Sequence, residues 1–131
     1  MKKIGVLNQD ISEVVAGMGH MDTITVADAG LPIPDGVRRI DLALREGLPG
    51  FLETVETLVK ELQVEKVVVA TETAAISPHI EQRLRQLFPD AEWSTTPHEE
   101  FKSLTCQSKA VIRTGEFTPY ANVILVSGVV F

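Results

Sequence analysis

Only one cysteine, Cys106, occurs in the 131 residues, so no internal disulfide can form and a reducing compartment is expected. Basic side chains are few as well: twelve Lys and Arg against eighteen Asp and Glu give a formal net charge of -6. A surface of that sign repels phosphate backbones, which argues against nucleic acid as a partner. No apolar run approaches the length of a membrane span, so no membrane association is expected. Ile4-Gly5-Val6-Leu7 gives way at once to Asn8-Gln9-Asp10, too short a stretch for a signal-peptide core, and the expected location is the cytoplasm. No Walker sequence is present. Gly17-x-Gly19-His20 follows a predicted helix and lacks a third glycine, so it is not a dinucleotide fingerprint. Neither His20-x-Asp22 nor His98-Glu99 has a recognised metal spacing, and no metal is expected.

What is present is ordinary for a globular chain. Hydrophobic residues make up 44% and charged residues 23%. The length suits one domain, residues 1–131, with no repeat or linker to divide it. Asp10, Ile11, Val14, Val15 and Met18 predict a short capped helix ending at Gly17 and Gly19. The β-branched run Thr23 to Ala27 predicts a strand that stops at Asp28. Two prolines and two glycines in Asp28–Gly36 then demand a fixed loop. A second strand is expected across Arg38–Leu44, and from Gly50 Leu52, Val55, Leu58, Val59 and Leu62 recur at helical spacing.

Glu65 to Ala70 reads as a central strand buried on both faces. Ser77-Pro78 predicts a helix with serine as N-cap, running until Pro89. A short strand at Trp93–Thr95 follows, then a capping box at Thr96-Pro97-His98-Glu99 that opens a helix to about Cys106. Strands at Lys109–Arg113 and Asn122–Val126 flank a turn at Thr114-Gly115-Glu116. The alternation predicts a three-layer α/β/α domain, with helices on both faces of a mixed, mainly parallel sheet.

Few residues can carry chemistry. His20 sits in a helix-to-strand connection beside Gly19, and imidazole is the side chain suited to giving and taking protons near neutral pH. From position alone the polar loop residue, capping the preceding helix, is the slightly favoured reading. Asp28 ends an apolar strand, where ligands of open α/β sheets gather, yet it also reads as a turn former bonded to the Gly30 or Leu31 amide. His98 and Lys102, four apart, share one face of a predicted helix. Tyr120 and Asn122 are expected side by side at the start of the last strand, where a phenol and an amide suit a polyhydroxyl ligand. Cys106 lies eight residues from His98 on that predicted helix, roughly 12 Å away at 1.5 Å rise per residue. It is therefore expected as a small buried hydrophobe, not a nucleophile.

Gly19-His20-x-Asp22, Asp28-Ala-Gly-Leu-Pro-Ile-Pro34, Thr96-Pro-His-Glu99, Arg113-Thr-Gly-Glu116 and Pro119-Tyr-Ala-Asn122, with the Val-Ser-Gly-Val-Val-Phe ending, form a pattern covering nearly the whole chain. It resembles the ribose pyranase and fucose mutarotase (RbsD/FucU) family. Fucose mutarotases differ in the loop after the aspartate and place a glycine between the tyrosine and the asparagine, so the present residues favour ribose. The resemblance implies an isomerase that converts β-ribopyranose into β-ribofuranose without a cofactor. His20 is then the proton donor, while Asp28, His98, Lys102, Tyr120 and Asn122 hold the free sugar. It implies a homo-oligomer too, of pentameric rings stacked to decamers. The alternative class is a non-catalytic sugar-binding accessory of a ribose transport or utilisation system; a metal-dependent hydrolase is a remoter third. Because His20 precedes and Asp28 follows one strand, roughly 16 Å long at about 3.3 Å per residue, the site is expected to combine two chains.

Overall fold

A computed structural model describes all 131 residues. The elements in chain order are α1 (Gln9–Gly17), β1 (Thr23–Ala27), β2 (Arg39–Asp41), α2 (Phe51–Leu58), β3 (Val64–Ala70), α3 (Thr71–Ile76), α4 (Pro78–Leu87), β4 (Glu92–Thr96), α5 (His98–Leu104), a 3₁₀ turn (Thr105–Gln107), β5 (Val111–Arg113) and β6 (Val123–Ser127). The six strands form one sheet in the order β2-β5-β1-β6-β3-β4. β1 pairs parallel with β5, β5 with β2, and β3 with β4. β6 lies between β1 and β3 and runs against both. The sheet is mixed and mainly parallel, as expected. Its reversed strand brings the amino end of β6 to the edge where the other five strands have their carboxyl ends.

Alternation of side chains across the pleat divides the core in two. Ile24, Val26, Ile40, Val67, Val69, Ile112, Val123 and Leu125 pack one face against Ile11 and Val14 of α1, Phe51, Val55 and Leu58 of α2, and Ile80 and Leu84 of α4. Each such aliphatic or aromatic side chain contributes on the order of 1.5–3 kcal/mol by leaving water. The other face is covered more thinly: Ala27, Val68, Ala70, Val111 and Ile124 meet Phe101 of α5 and Leu31. Phe101 is fully buried and anchors α5, which begins at His98. No helix is long and apolar enough to cross a membrane.

Several local expectations are corrected. The cap of α1 is Asn8, whose Oδ1 accepts the Ile11 amide, rather than Asp10. The second strand is confined to Arg39–Asp41. Ser77 makes no side-chain cap; its hydroxyl donates to the Pro119 carbonyl instead. The Thr96 capping box is absent, because Thr96 Oγ1 donates to Glu100 and Pro97 is the residue before α5. Cys106 is exposed, since Thr105 takes the inward position of the 3₁₀ turn. Helix α3 has no counterpart among the sequence expectations. Gly115 is required by packing: a Cβ there would lie 2.5 Å from the Arg45 carbonyl oxygen and 2.6 Å from that of Leu48.

Candidate functional site

The strand polarity gathers Asp28 after β1, His98 after β4, and Tyr120 and Asn122 before β6 along one edge of the sheet. Asp28, Gly30, Leu31, Pro32, His98, Pro119 and Tyr120 line a cavity of about 300 Å³ there. That volume lies at the small end of ligand pockets and suits a small molecule. A second hollow, lined by Arg113, Glu116, Phe117 and Thr118, shares Asp28, Gly30 and Pro119 with it. A separate cavity between α1 and α2 is mostly aliphatic, and its polar members Asn8, Glu53, Thr54 and Thr57 are all engaged in hydrogen bonds of the two helices and their starts.

Asp28 is the turn former and also lines the cavity. Its Oδ1 accepts the Gly30 and Leu31 amides at 3.0 and 2.9 Å, the turn expected of an aspartate before glycine. Its Oδ2 accepts Asn122 Nδ2 at 3.0 Å, and its own amide donates to Asn122 Oδ1 at 2.8 Å. Asn122 itself is fully buried and stands behind the aspartate instead of beside the cavity.

Tyr120 and Asn122 do not share a strand face, because β6 begins only at Val123. Tyr120 has φ +60°, the left-handed region that costs a bulky residue energy unless its surroundings impose it. Three donors supply that constraint. Thr73 Oγ1 donates to the Tyr120 carbonyl at 2.9 Å, the Asn122 amide reaches the same oxygen at 2.9 Å, and Ser77 Oγ donates to the Pro119 carbonyl at 2.7 Å. Both hydroxyls are buried and come from α3 and its end. The Tyr120 ring thereby stands edge-on to the His98 ring, 5.0 Å between centroids at 86°.

His98 also stacks on Phe101 at 6.3 Å, and its buried Nδ1 lacks a hydrogen-bond partner, an unmet polar atom of the kind that marks functional sites. Its amide is not free for a ligand, since it donates to Glu72 Oε2 at 3.0 Å. Lys102, one turn along α5, pairs with Glu99 at 2.8 Å and does not line the cavity within one chain. That ammonium holds the Glu99 carboxyl below the usual carboxylate range.

His20 stands at the opposite edge, where β1 and β3 begin and β6 ends. Its Nε2 lies 2.9 Å from Glu65 Oε2. The Asp22 carboxyl accepts the Gly19 amide at 2.9 Å and faces Lys109, contacts that keep it below the ordinary aspartate range. No group of three or more His, Cys, Asp or Glu is gathered that could hold a metal ion. Thr73, Glu65 and Glu72 were not singled out as site residues in the sequence, and Ser77 only as a helix cap; each acts on a residue more than twenty positions away, which no local pattern signals.

Residues 1–130 match the model of the RbsD / FucU transport protein family. The chain is 55% identical over 131 residues to the D-ribose pyranase of Chloroflexus aggregans and 56% identical to that of Symbiobacterium thermophilum, in both cases over the full length of each protein. Among solved structures it matches Bacillus subtilis RbsD complexed with D-ribose at TM-score 0.97 and 53% identity, covering 100% of both chains. The fucose mutarotase of Streptococcus pneumoniae, in complex with L-fucose, shares the fold at TM-score 0.78 and 22% identity over 95% of each chain.

Proposed function

The chain belongs to the RbsD / FucU family, and from that membership and the geometry of its sites we propose that it interconverts β-ribopyranose and β-ribofuranose. The observation that carries this reading is the full-length match, in sequence and backbone, to a relative complexed with D-ribose. The cavity chemistry supports it: a carboxylate, an imidazole and a phenol around about 300 Å³ offer the mixed donors and acceptors that a polyhydroxyl ligand needs.

The reaction asks little of the protein. In the pyranose the C1–O5 bond breaks, its electron pair goes to O5, and O5 takes a proton from His20. The anomeric hydroxyl loses its proton to water and becomes the carbonyl oxygen. The C4 hydroxyl then attacks C1, losing its proton as the carbonyl oxygen regains one, and the furanose closes. No electron moves between carbons and no group leaves, so side chains can supply the whole catalysis, roughly 10²–10⁴-fold from general acid–base help. Asp28, His98 and Tyr120 hold the hydroxyls in this reading. Lys102 approaches from α5, and Asn122 contributes by holding Asp28.

His20 and Asp28 lie at opposite edges of the sheet, so the same reading has each site completed by His20 from another copy. The protein would act in the cytoplasm as a homo-oligomer, pentameric rings stacked to decamers. Mixing His20→Ala and Asp28→Ala chains tests the sharing. After subunit exchange about a quarter of the sites in an equal mixture regain both residues, and activity returns. No recovery from two folded, assembled variants argues for sites within single chains.

Saturation-transfer NMR of ribose decides the activity. Faster exchange out of the pyranose with protein present is the expected result. Broadened ribose signals without added exchange favour a non-catalytic sugar-binding accessory.

A further inference from the structure

His20 is half exposed, and an exposed histidine–carboxylate contact is ordinarily worth little. This one differs because the backbone fixes both of its ends. Met21, next to His20, has φ +70°, a conformation uncommon for a residue with a side chain. It is held there by three contacts. The Gly19 amide donates to Asp22 Oδ2, the Met21 amide donates to the Ser127 carbonyl at 2.9 Å, and the Ser127 amide donates to the Asp22 carbonyl at 2.8 Å. The His20 loop is thus tied to the carboxyl end of β6.

Glu65 is fixed from the other side. It lies on β3 between Val64 and Lys66, which pair with Ser127 and Val126 of β6 across a register shift, and the Gly128 amide donates to the Gln63 carbonyl at 2.9 Å. Gly128 leaves the room that Glu65 occupies: a Cβ there would stand 3.0 Å from Glu65 Cβ and 3.3 Å from its Oε2. The same strand end therefore positions the histidine loop through Ser127 and makes space for the carboxylate through Gly128.

We infer that Glu65 is a positioning residue for His20, fixing Nε2 as the nitrogen that donates to the carboxylate and leaving Nδ1 to exchange protons with the sugar. The inference rests on the ring-interconversion reading above. A neutral imidazole bears one proton, and a carboxylate oxygen 2.9 Å from Nε2 can only accept, so the proton sits on Nε2 and the lone pair on Nδ1. When Nδ1 takes a proton, the imidazolium forms against a carboxylate that stabilises it. When Nδ1 delivers that proton to O5, the ring returns to the same tautomer without turning. Glu65 touches no substrate in this scheme; it selects the reacting nitrogen and holds the ring plane, as outer carboxylates do for histidines elsewhere.

The test uses the intact protein with ¹⁵N-labelled histidine, the His20 signals being identified by their loss in His20→Ala. The wild-type ring at high pH should give the signature of a proton on Nε2. In Glu65→Ala that signature should change to the mixture of tautomers a free imidazole shows, while kcat for ribose exchange falls about 10- to 100-fold and KM stays within about twofold. Gly128→Ala, which pushes on Glu65 without altering its chemistry, should lower kcat in the same direction. A wild-type proton on Nδ1, an unchanged tautomer in Glu65→Ala, or a wild-type kcat in that variant would each overturn the inference. If wild-type protein exchanges no ribose, the functional reading fails, and the nitrogen signals still decide the tautomer.

Discussion

Asn122 grips Asp28 at two points, accepting its amide at 2.8 Å through Oδ1 and donating to its carboxylate at 3.0 Å through Nδ2. With Gly30 and Leu31 on the other oxygen, the carboxylate has its orientation set before any ligand arrives. In Asn122→Ala a fully buried side chain is removed and the half-buried Asp28 amide loses its partner, which should cost about 1–3 kcal/mol of stability. Ribose affinity should fall about two- to tenfold, because the freed carboxylate must be ordered on binding. Asn122→Asp should be worse, since it sets a second carboxylate against Asp28. Urea unfolding and calorimetric titration check both; unchanged affinity in Asn122→Ala would remove Asp28 orientation from the account.

Tyr120 offers a test in which packing and recognition separate. Tyr120→Phe keeps the ring against His98 and loses one hydroxyl, so affinity should drop by about 0.5–1.5 kcal/mol with stability nearly unchanged. Thr73→Val removes the hydroxyl that holds the Tyr120 carbonyl and should lower both stability and affinity. Tyr120 is the only tyrosine, so one ring-labelled NMR signal reports whether its setting has moved. A Thr73→Val protein whose tyrosine signal and affinity match the wild type would contradict the positioning of Tyr120 by α3.

These contacts also mark how far the sequence could be read. β1, β3 and β6 were legible because their β-branched runs are buried along most of their length, and α2 and α4 because apolar residues recur on one face. Helix α3 was not legible: it starts at Thr71 directly after β3 with no loop, and only Thr73 among its six residues is buried. Ser77 and Thr96 have the chemistry of caps, but the distant Pro119 carbonyl and the Glu100 side chain of α5 take their hydroxyls. Asp28, His98 and Tyr120 were recognisable as site candidates, and their convergence follows from the reversed β6. The partnership of His20 with Glu65 spans 45 positions and depends on strand order, which pattern alone does not supply.

Acid should loosen the molecule at identifiable places. The Asp22 carboxyl is held below its ordinary range chiefly by the Gly19 amide and then by Lys109, and that of Glu61 by the Val6 amide and then by Lys2. A depressed folded-state value means that the unfolded chain binds more protons in the acid range. The stabilisation is therefore complete above the normal carboxylate range and is lost as pH falls through it and below, roughly from pH 5 towards pH 3. Urea midpoints should decline over that window. Asp22→Asn and Glu61→Gln should each start lower at neutral pH and decline less steeply. Midpoints that fall in parallel for all three proteins would show that these two groups do not carry the acid sensitivity.

The sharpest division between enzyme and binder lies in His20→Ala. His20 is outside the cavity lined by Asp28, His98 and Tyr120, so removing its ring should leave that cavity and most of the ribose affinity intact. Its half-exposed position means that no core packing is lost, and its Glu65 contact is too exposed to matter much to stability. If it donates the proton to the ring oxygen, its loss should slow exchange between ribose ring forms about 10²- to 10⁴-fold, a barrier increase of about 3–5 kcal/mol. A contact that merely holds the sugar would act differently, weakening affinity and leaving exchange at saturating ribose unchanged. Measuring exchange rate and affinity on the same preparation separates the two. A His20→Ala protein that exchanges ribose at the wild-type rate would transfer the donor role to His98, the other imidazole placed against the cavity, and with it would remove the need for a second chain at the site.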